Sequence, residues 1–318
     1  MISYIIRRLI QAIFVLFIVS LLVFFAMRIL PGDPILMYLS REQIDSLTPE
    51  QIEATRIEFG LDRPLIVQYG SWVSDIFHGN FGTSLFYRDN VGKLLAQRLP
   101  ITLHLGLVSF ILATIIGILA GIISALKRGT IIDTILTVVA NLGITLPIFW
   151  LGILLIYAFG VKLDWLPVFG YTSPFEDFWL NTRQIIMPVI CLSAFTIGAL
   201  ARQTRSSILE VIQQDYVRTA WSKGLPERRI VFRHVLKNGL IPIITLVGVH
   251  LSQIIGGSVL IETVFNISGM GRLAVESLFS LDYVVVQAVT LLIAIMVVTV
   301  NLLVDISYCW LDPRIRFS

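Results

Sequence analysis

Charge is scarce in this sequence. Of its 318 residues, 14% are Asp, Glu, Lys or Arg and 56% are apolar, with a mean hydropathy of +0.84. A soluble domain averages about 25% charged residues. A chain this poor in polar groups cannot cover its surface with them, which excludes a water-soluble globular protein along with disordered and collagen-like classes. Cysteine is nearly absent too. Cys191 and Cys309 stand in or beside apolar runs, with no Cys-x-x-Cys spacing and no neighbouring histidine. That favours packed or lipid-facing thiols over a disulfide or metal ligand. No small-x-small cleavage site follows Arg7 and Arg8, so the first apolar run is expected to remain as a spanning helix. The expected product is an integral membrane protein.

Six charge-free stretches are long enough to span a bilayer: Leu9–Met27, Leu99–Leu126, Thr134–Val161, Gln184–Ala201, Asn238–Ile261 and Tyr283–Val304. An even count puts both termini on one side. That side carries Arg7, Arg8, Lys127, Arg128, eight basic residues between Arg202 and Lys237, and then Arg314 and Arg316. By the excess of Lys and Arg it is the cytoplasm. The expected organisation is an all-α membrane protein: residues 1–30 as N-terminus and first span, 31–98 as an extracytoplasmic segment, and 99–318 as a five-helix core with a cytoplasmic loop at 202–237. The outer segment is too long for a turn, and helix signals at Thr48, Pro49, Ile52, Ile57 and Phe59 suggest an ordered cap. Cysteines placed at Ser46 and Ser268 are expected to face outside, and one at Ser222 inside.

Catalytic and ion-coupling groups are missing from the spans. No Asp, Glu, Lys or Arg lies well inside a span, which argues against a proton- or sodium-coupled secondary carrier. There is no nucleophile elbow, and no metal-ligand cluster or catalytic residue is identified. No phosphate loop of the G-x-x-x-x-G-K-[ST] type occurs, so ATP binding in that manner is not expected of this chain. Nothing points to nucleic acid. His104 and His250 remain, and His250 shares a helical face with Gln253 and Gly257. Small and polar residues also gather at Asn141, Gly143, Thr145 and Pro147. Helix packing explains such clusters; so does a border on a translocation path, for which Asn141, Thr145, Gln253 and Gly257 are the candidates.

The loop between spans four and five reads YVRTAWSKGLPERRI from Tyr216 to Ile230. Gly224 can end a helix in a left-handed cap, Pro226 can open the next, and Glu227 then sits at a helix N-terminus where its charge is favourable. A helix–turn–helix elbow is expected, with Ala220 small enough to admit a partner surface. The loop is basic, a property that lipid headgroup attraction explains equally well.

Asp215 through Leu225 resembles the D-Y-V-R-T-A-x-x-K-G-L form of the cytoplasmic loop in permeases of the dipeptide/oligopeptide/nickel branch of ABC importers. The general form of that loop begins A-A after an acid and ends Ile-x-Leu-Pro; here Arg218 replaces the acid, and His234, Leu236 and Lys237 replace the later part. ILPGDP (Ile29–Pro34), GLDRPLIVQY (Gly60–Tyr69), GTS (Gly82–Ser84), QRLPITL (Gln97–Leu103), PIFWLG (Pro147–Gly152), IETVFNISGMGRL (Ile261–Leu273) and LDPRIR (Leu311–Arg316) follow the same branch in order. The resemblance implies a type I ABC importer permease, the first of two permease subunits, in the cytoplasmic (inner) membrane of a prokaryote. It implies a second permease, two ATPase subunits that hold ATP and Mg, and an extracytoplasmic substrate-binding protein. It assigns ATPase coupling to Asp215, Arg218, Thr219, Ala220, Lys223, Gly224 and Arg228. The expected cargo is di- or oligopeptide, with glutathione, a nickel chelate or an oligosaccharide as alternatives within the class.

Overall fold

The computed structural model describes residues 2–29, 50, 62–84 and 86–311, with side chains except at 2–4, 245, 252–255, 257 and 307–311. The helix signals at 48–59, the ILPGDP and LDPRIR segments beyond their first residues, and Ser46 lie outside the described residues. The described chain is helical, and its single β feature is an isolated bridge between Thr83 and Asn90.

The helices in order are α1 (Ile2–Ile29), α2 (Leu65–Phe77), α3 (Val91–Leu126), α4 (Ile131–Thr145), α5 (Ile148–Leu155), α6 (Phe178–Ile212), α7 (Asp215–Ser222), α8 (Glu227–Ile230), α9 (Ile241–Val264), α10 (Met270–Phe279) and α11 (Tyr283–Leu311). Wider π turns extend α5 over Ile156–Lys162 and α8 over Val231–Leu236. Four helices are long and apolar enough to cross a membrane, and two bent pairs raise the number to six. Five of them contain charge-free runs, whereas the bent pair Glu227–Gly239 and Ile241–Leu251 starts in the charged loop and covers only part of the run Asn238–Ile261. The third run departs from the expectation of one continuous span, because α4 and α5 meet at 110°. Pro147 supplies no N–H and forces Leu146 into extended geometry (φ −73°, ψ 129°), which interrupts the helix there.

The chain divides into two compact units. The first comprises residues 101–268 and 300 onward, the second residues 2–100 and 269–299. In the first unit α6 is the central helix. α4 packs on it closely: a Cβ at Gly143 would fall 2.6 Å from the Ala194 carbonyl oxygen, and one at Gly198 would collide with the carbonyl of Ala140. Glycine is required at both positions. Met187, Val189, Cys191 and Leu192 of α6 build a core with Leu105, Ile261, Phe265 and Ile267. At 35 residues α6 spans about 52 Å, beyond the roughly 30 Å hydrocarbon core, so it projects from the membrane.

In the second unit Val91, Leu94 and Leu95 pack on Met270, Leu273, Val285 and Val289. The buried Asp282 carboxylate accepts from Ser84 Oγ (2.5 Å) and from the Phe86 and Val285 amides (3.2 and 3.4 Å), which ties Ser84 and Phe86 to the start of α11. The Tyr87 hydroxyl donates to Glu276 at 2.9 Å. Burial, reinforced by that carboxylate, pushes the Tyr87 pKa up to about 12 and keeps it a donor.

Candidate coupling site at the elbow between α6 and α9

α7 ends in a Schellman arrangement. The Gly224 amide donates to the Trp221 carbonyl (2.9 Å) and the Leu225 amide to the Ala220 carbonyl (3.4 Å), with Gly224 left-handed at φ +70°. Pro226 (φ −63°, ψ 138°) then turns the chain into α8, whose first turn begins with Glu227. The elbow expected from Gly224, Pro226 and Glu227 is present.

Its orientation differs from expectation at one residue. Ala220 does not face outward. It is buried with Val217, Ile230 and Val235 against Ile208 of α6 and Ala125 of α3. Val217 and Ala220 are i, i+3 and so share the inner face of a short helix, and Leu225 packs against the same cluster from beyond the cap. Ala220 is small because α7 lies on its own chain. Asp215, Arg218, Thr219, Lys223, Gly224 and Arg228 are solvent-exposed and gathered on the elbow. Tyr216 and Trp221 are exposed beside them, and residue-type reasoning passed them over. The helical period of Val217 and Ala220 was the signal that could have found them. Arg218 and Asp215 lie 3.6 Å apart and are both largely exposed, a pair worth about 0–1 kcal/mol.

Two anchors hold the elbow to the helices above it. Ser207 Oγ donates to the Gly239 carbonyl at 2.7 Å, just before α9. Two turns before the end of α6, Arg205 grips Asp133 bidentately through Nε (2.8 Å) and a terminal nitrogen (2.9 Å). The same carboxylate accepts from Ser124 Oγ (2.5 Å) and the Gly129 amide (3.0 Å). The α3–α4 turn is thereby fastened to the helix that carries the elbow.

The candidate pathway residues separate. Asn141 and Thr145 share one exposed face of α4, where Thr145 Oγ1 donates to the Asn141 carbonyl at 2.9 Å, while Gly143 faces α6. The side chains at Gln253 and Gly257 lie outside the described ones. His250 is buried, its ring edge-on to Phe195 at 6.2 Å. His104 Nδ1 pairs with the Tyr171 hydroxyl at 2.8 Å. α9 runs past the apolar stretch to Val264 and buries Glu262, whose Oε1 accepts from Thr102 at 2.7 Å. Among the described residues no group of three or more His, Cys, Asp or Glu is placed to hold a metal.

Apolar helices long enough to cross a membrane, with a basic helix–turn–helix elbow between α6 and α9, define a helical membrane protein. Residues 117–317 match the model of the binding-protein-dependent transport system inner membrane component family, and residues 1–106 match that of its N-terminal region. The chain belongs to this family and is an ABC importer permease. It is 42% identical over 321 residues to a putative peptide transport system permease protein of Brucella abortus, covering all of both chains. It is 39% identical over 320 residues to the oligopeptide transport system permease protein AppB of Bacillus subtilis, again covering all of both chains. With the di/tripeptide transport system permease protein DppB of Pseudomonas aeruginosa it shares 38% identity over 336 residues and 99% of each chain. Over 69% of this chain and 96% of that one, the fold is shared with a chain of the MetNI methionine ABC transporter, from a structure of that transporter's inward-facing conformations (TM-score 0.56, 19% identity).

Proposed function

We propose that this chain is the first of two permease subunits of an importer for di- and oligopeptides. The observation that carries the cargo assignment is full-length similarity to permeases named for peptide transport. The chain forms the translocation path with a second permease, and two ATPase subunits that hold ATP and Mg dock on the elbow. An extracytoplasmic binding protein delivers peptide from outside. ATP closure of the ATPase pair opens the permeases outward, and hydrolysis returns them inward by rigid-body motion. The chain lies in the cytoplasmic membrane of a prokaryote with both termini inside.

ATP-dependent uptake of labelled dipeptide into proteoliposomes holding the assembled importer tests this reading. Competition by tripeptides supports it, and selective uptake of glutathione, a nickel chelate or an oligosaccharide overturns the cargo. Copurification of ATPase subunits with the tagged chain separates it from a secondary carrier.

Orientation has its own test. In a cysteine-free background, Ser268→Cys should react with an impermeant thiol reagent added outside, and Ser222→Cys should not. External labelling at 222 would invert the topology.

The exposed face of α4 borders the path in this reading. Asn141→Trp and Thr145→Trp should each lower uptake while leaving complex recovery unchanged, as should bulky residues at Gln253 and Gly257. Unchanged transport in all four variants would return these positions to packing roles.

A further inference from the structure

The helix α2 falls within the segment expected to stand as an extracytoplasmic cap, yet it packs on the apolar run of α1. It lies against the last third of α1. Ser20 Oγ and the Tyr69 hydroxyl are 2.7 Å apart, the Phe24 ring meets Tyr69 edge to face (5.4 Å) and lies tilted against Trp72 (5.8 Å), and Arg28 donates to Gln68 Oε1 at 3.1 Å. Arg28 stands at the end of the apolar run, and Ser20 lies eight residues back, about 12 Å along the axis. Tyr69 is therefore held at hydrocarbon depth, since the apolar core of a bilayer is about 30 Å thick.

The rest of the α2 surface is sorted to match. Ile66, Val73 and Phe77 recur at i, i+7 and i+11, within a narrow arc of the helix beside the α1 contact. Ile66 is 81% exposed and Phe77 85% exposed. Gly70, on the edge of the same stripe, has nothing within 4 Å of where a Cβ would stand. Ser71, Ser74 and Asp75 occupy a separate exposed face, which also carries the half-exposed Val67, and Asp75 is the helix's one charged residue. A water-facing cap would not leave Ile66 and Phe77 bare while a transmembrane helix holds the same element at the depth of Ser20.

We infer that α2 is an interfacial helix, seated in the leaflet at the C-terminal end of α1 with its Ile66–Val73–Phe77 stripe on lipid acyl chains. The occupant of that stripe is lipid because the stripe continues the bare apolar surface of α1, where Leu22 and Phe25 are also exposed. Given the orientation proposed above, this is the outer leaflet. An inverted topology would change the leaflet but not the depth, and the thiol labelling described above reports the topology independently.

The test is spin-label accessibility in liposomes holding the assembled importer, with Cys191 and Cys309 replaced by alanine. Nitroxides at Ile66→Cys, Gly70→Cys and Phe77→Cys should collide more with oxygen than with a water-soluble nickel chelate, at a depth of about 5–10 Å below the headgroups. Labels at Ser71→Cys and Asp75→Cys should show the reverse preference. Gly70→Cys guards against a packing defect, since its side chain enters open space. Nickel-dominated collisions at 66 and 77 would place the stripe in water. Protection from both reagents would mean that protein covers it. Either result overturns the inference.

Discussion

Gly224→Val should abolish ATP-dependent uptake while the chain still inserts in the membrane. Gly224 holds φ +70°, and the left-handed region costs a residue with a Cβ roughly 1–2 kcal/mol, with a β-branched side chain at the upper end. The effect is not one of crowding, because nothing lies within 4 Å of a Cβ built there. Strain would instead be relieved by opening the cap, which re-aims Pro226 and α8 relative to α7. Ala220→Trp should give the same loss by another route. The site is enclosed by Ile208, Ile230 and Val235, and overpacking a closed core typically costs about 1–3 kcal/mol. The indole would lift α7 off α6 and uncouple the elbow from the helix it should drive. Lys223→Ala, at an exposed position on the same elbow, should be mild. Uptake into proteoliposomes is read beside retention of the ATPase subunits on an affinity column. Lost uptake with lost retention means docking failed, and lost uptake with retained ATPases means the motion no longer reaches the spans. Normal transport in both Gly224→Val and Ala220→Trp would reduce the loop to a basic topology anchor.

The elbow was legible because its signals are local. Gly224, Pro226 and Glu227 act on their own backbone, and six charge-free runs follow directly from hydropathy. The face that α7 presents was not legible from residue size alone. Whether a small residue admits a partner or its own chain depends on what α6 and α3 put beneath it: Ile208 lies across the turn that separates α6 from α7, and Ala125 is far off in sequence. The cluster at Asn141, Gly143 and Thr145 had the same ambiguity. The approach of the Ala194 carbonyl gives Gly143 to packing, while Asn141 and Thr145 face outward. Pro147 announced a weak point in the third run, but a 110° bend required knowledge of where α5 finds its core. Least legible of all was the pairing of Asp133 with Arg205, 72 residues apart, each of which reads alone as a charge at a helix end.

That pair carries the second large effect. Arg205→Leu should markedly lower the yield of inserted, thermally stable chain, and in whatever survives it should reduce uptake per ATP hydrolysed. The Asp133 carboxylate is buried, and among the described residues the guanidinium is its one cationic partner, so removing Arg205 strands a buried charge. Ser124 and the Gly129 amide satisfy part of the carboxylate but do not neutralise it. If charge is the problem, Asp133→Asn in the same chain should recover much of the lost yield, because an amide oxygen can still accept from Ser124 without needing a cation. Uptake should recover less than yield. The bidentate fork also fixes the α3–α4 turn to the last third of α6, the helix that leads into α7, and an amide without Arg205 cannot restore that clamp. Arg205→Lys should fall between, since an ammonium supplies charge but not the planar fork. The measurements are yield and thermal midpoint in detergent, then uptake and ATP turnover in proteoliposomes. A double variant as unstable as Arg205→Leu alone would show that Arg205 matters for packing and not for the charge it neutralises. Full recovery of coupling in the double variant would show that the elbow needs no such clamp to move the spans.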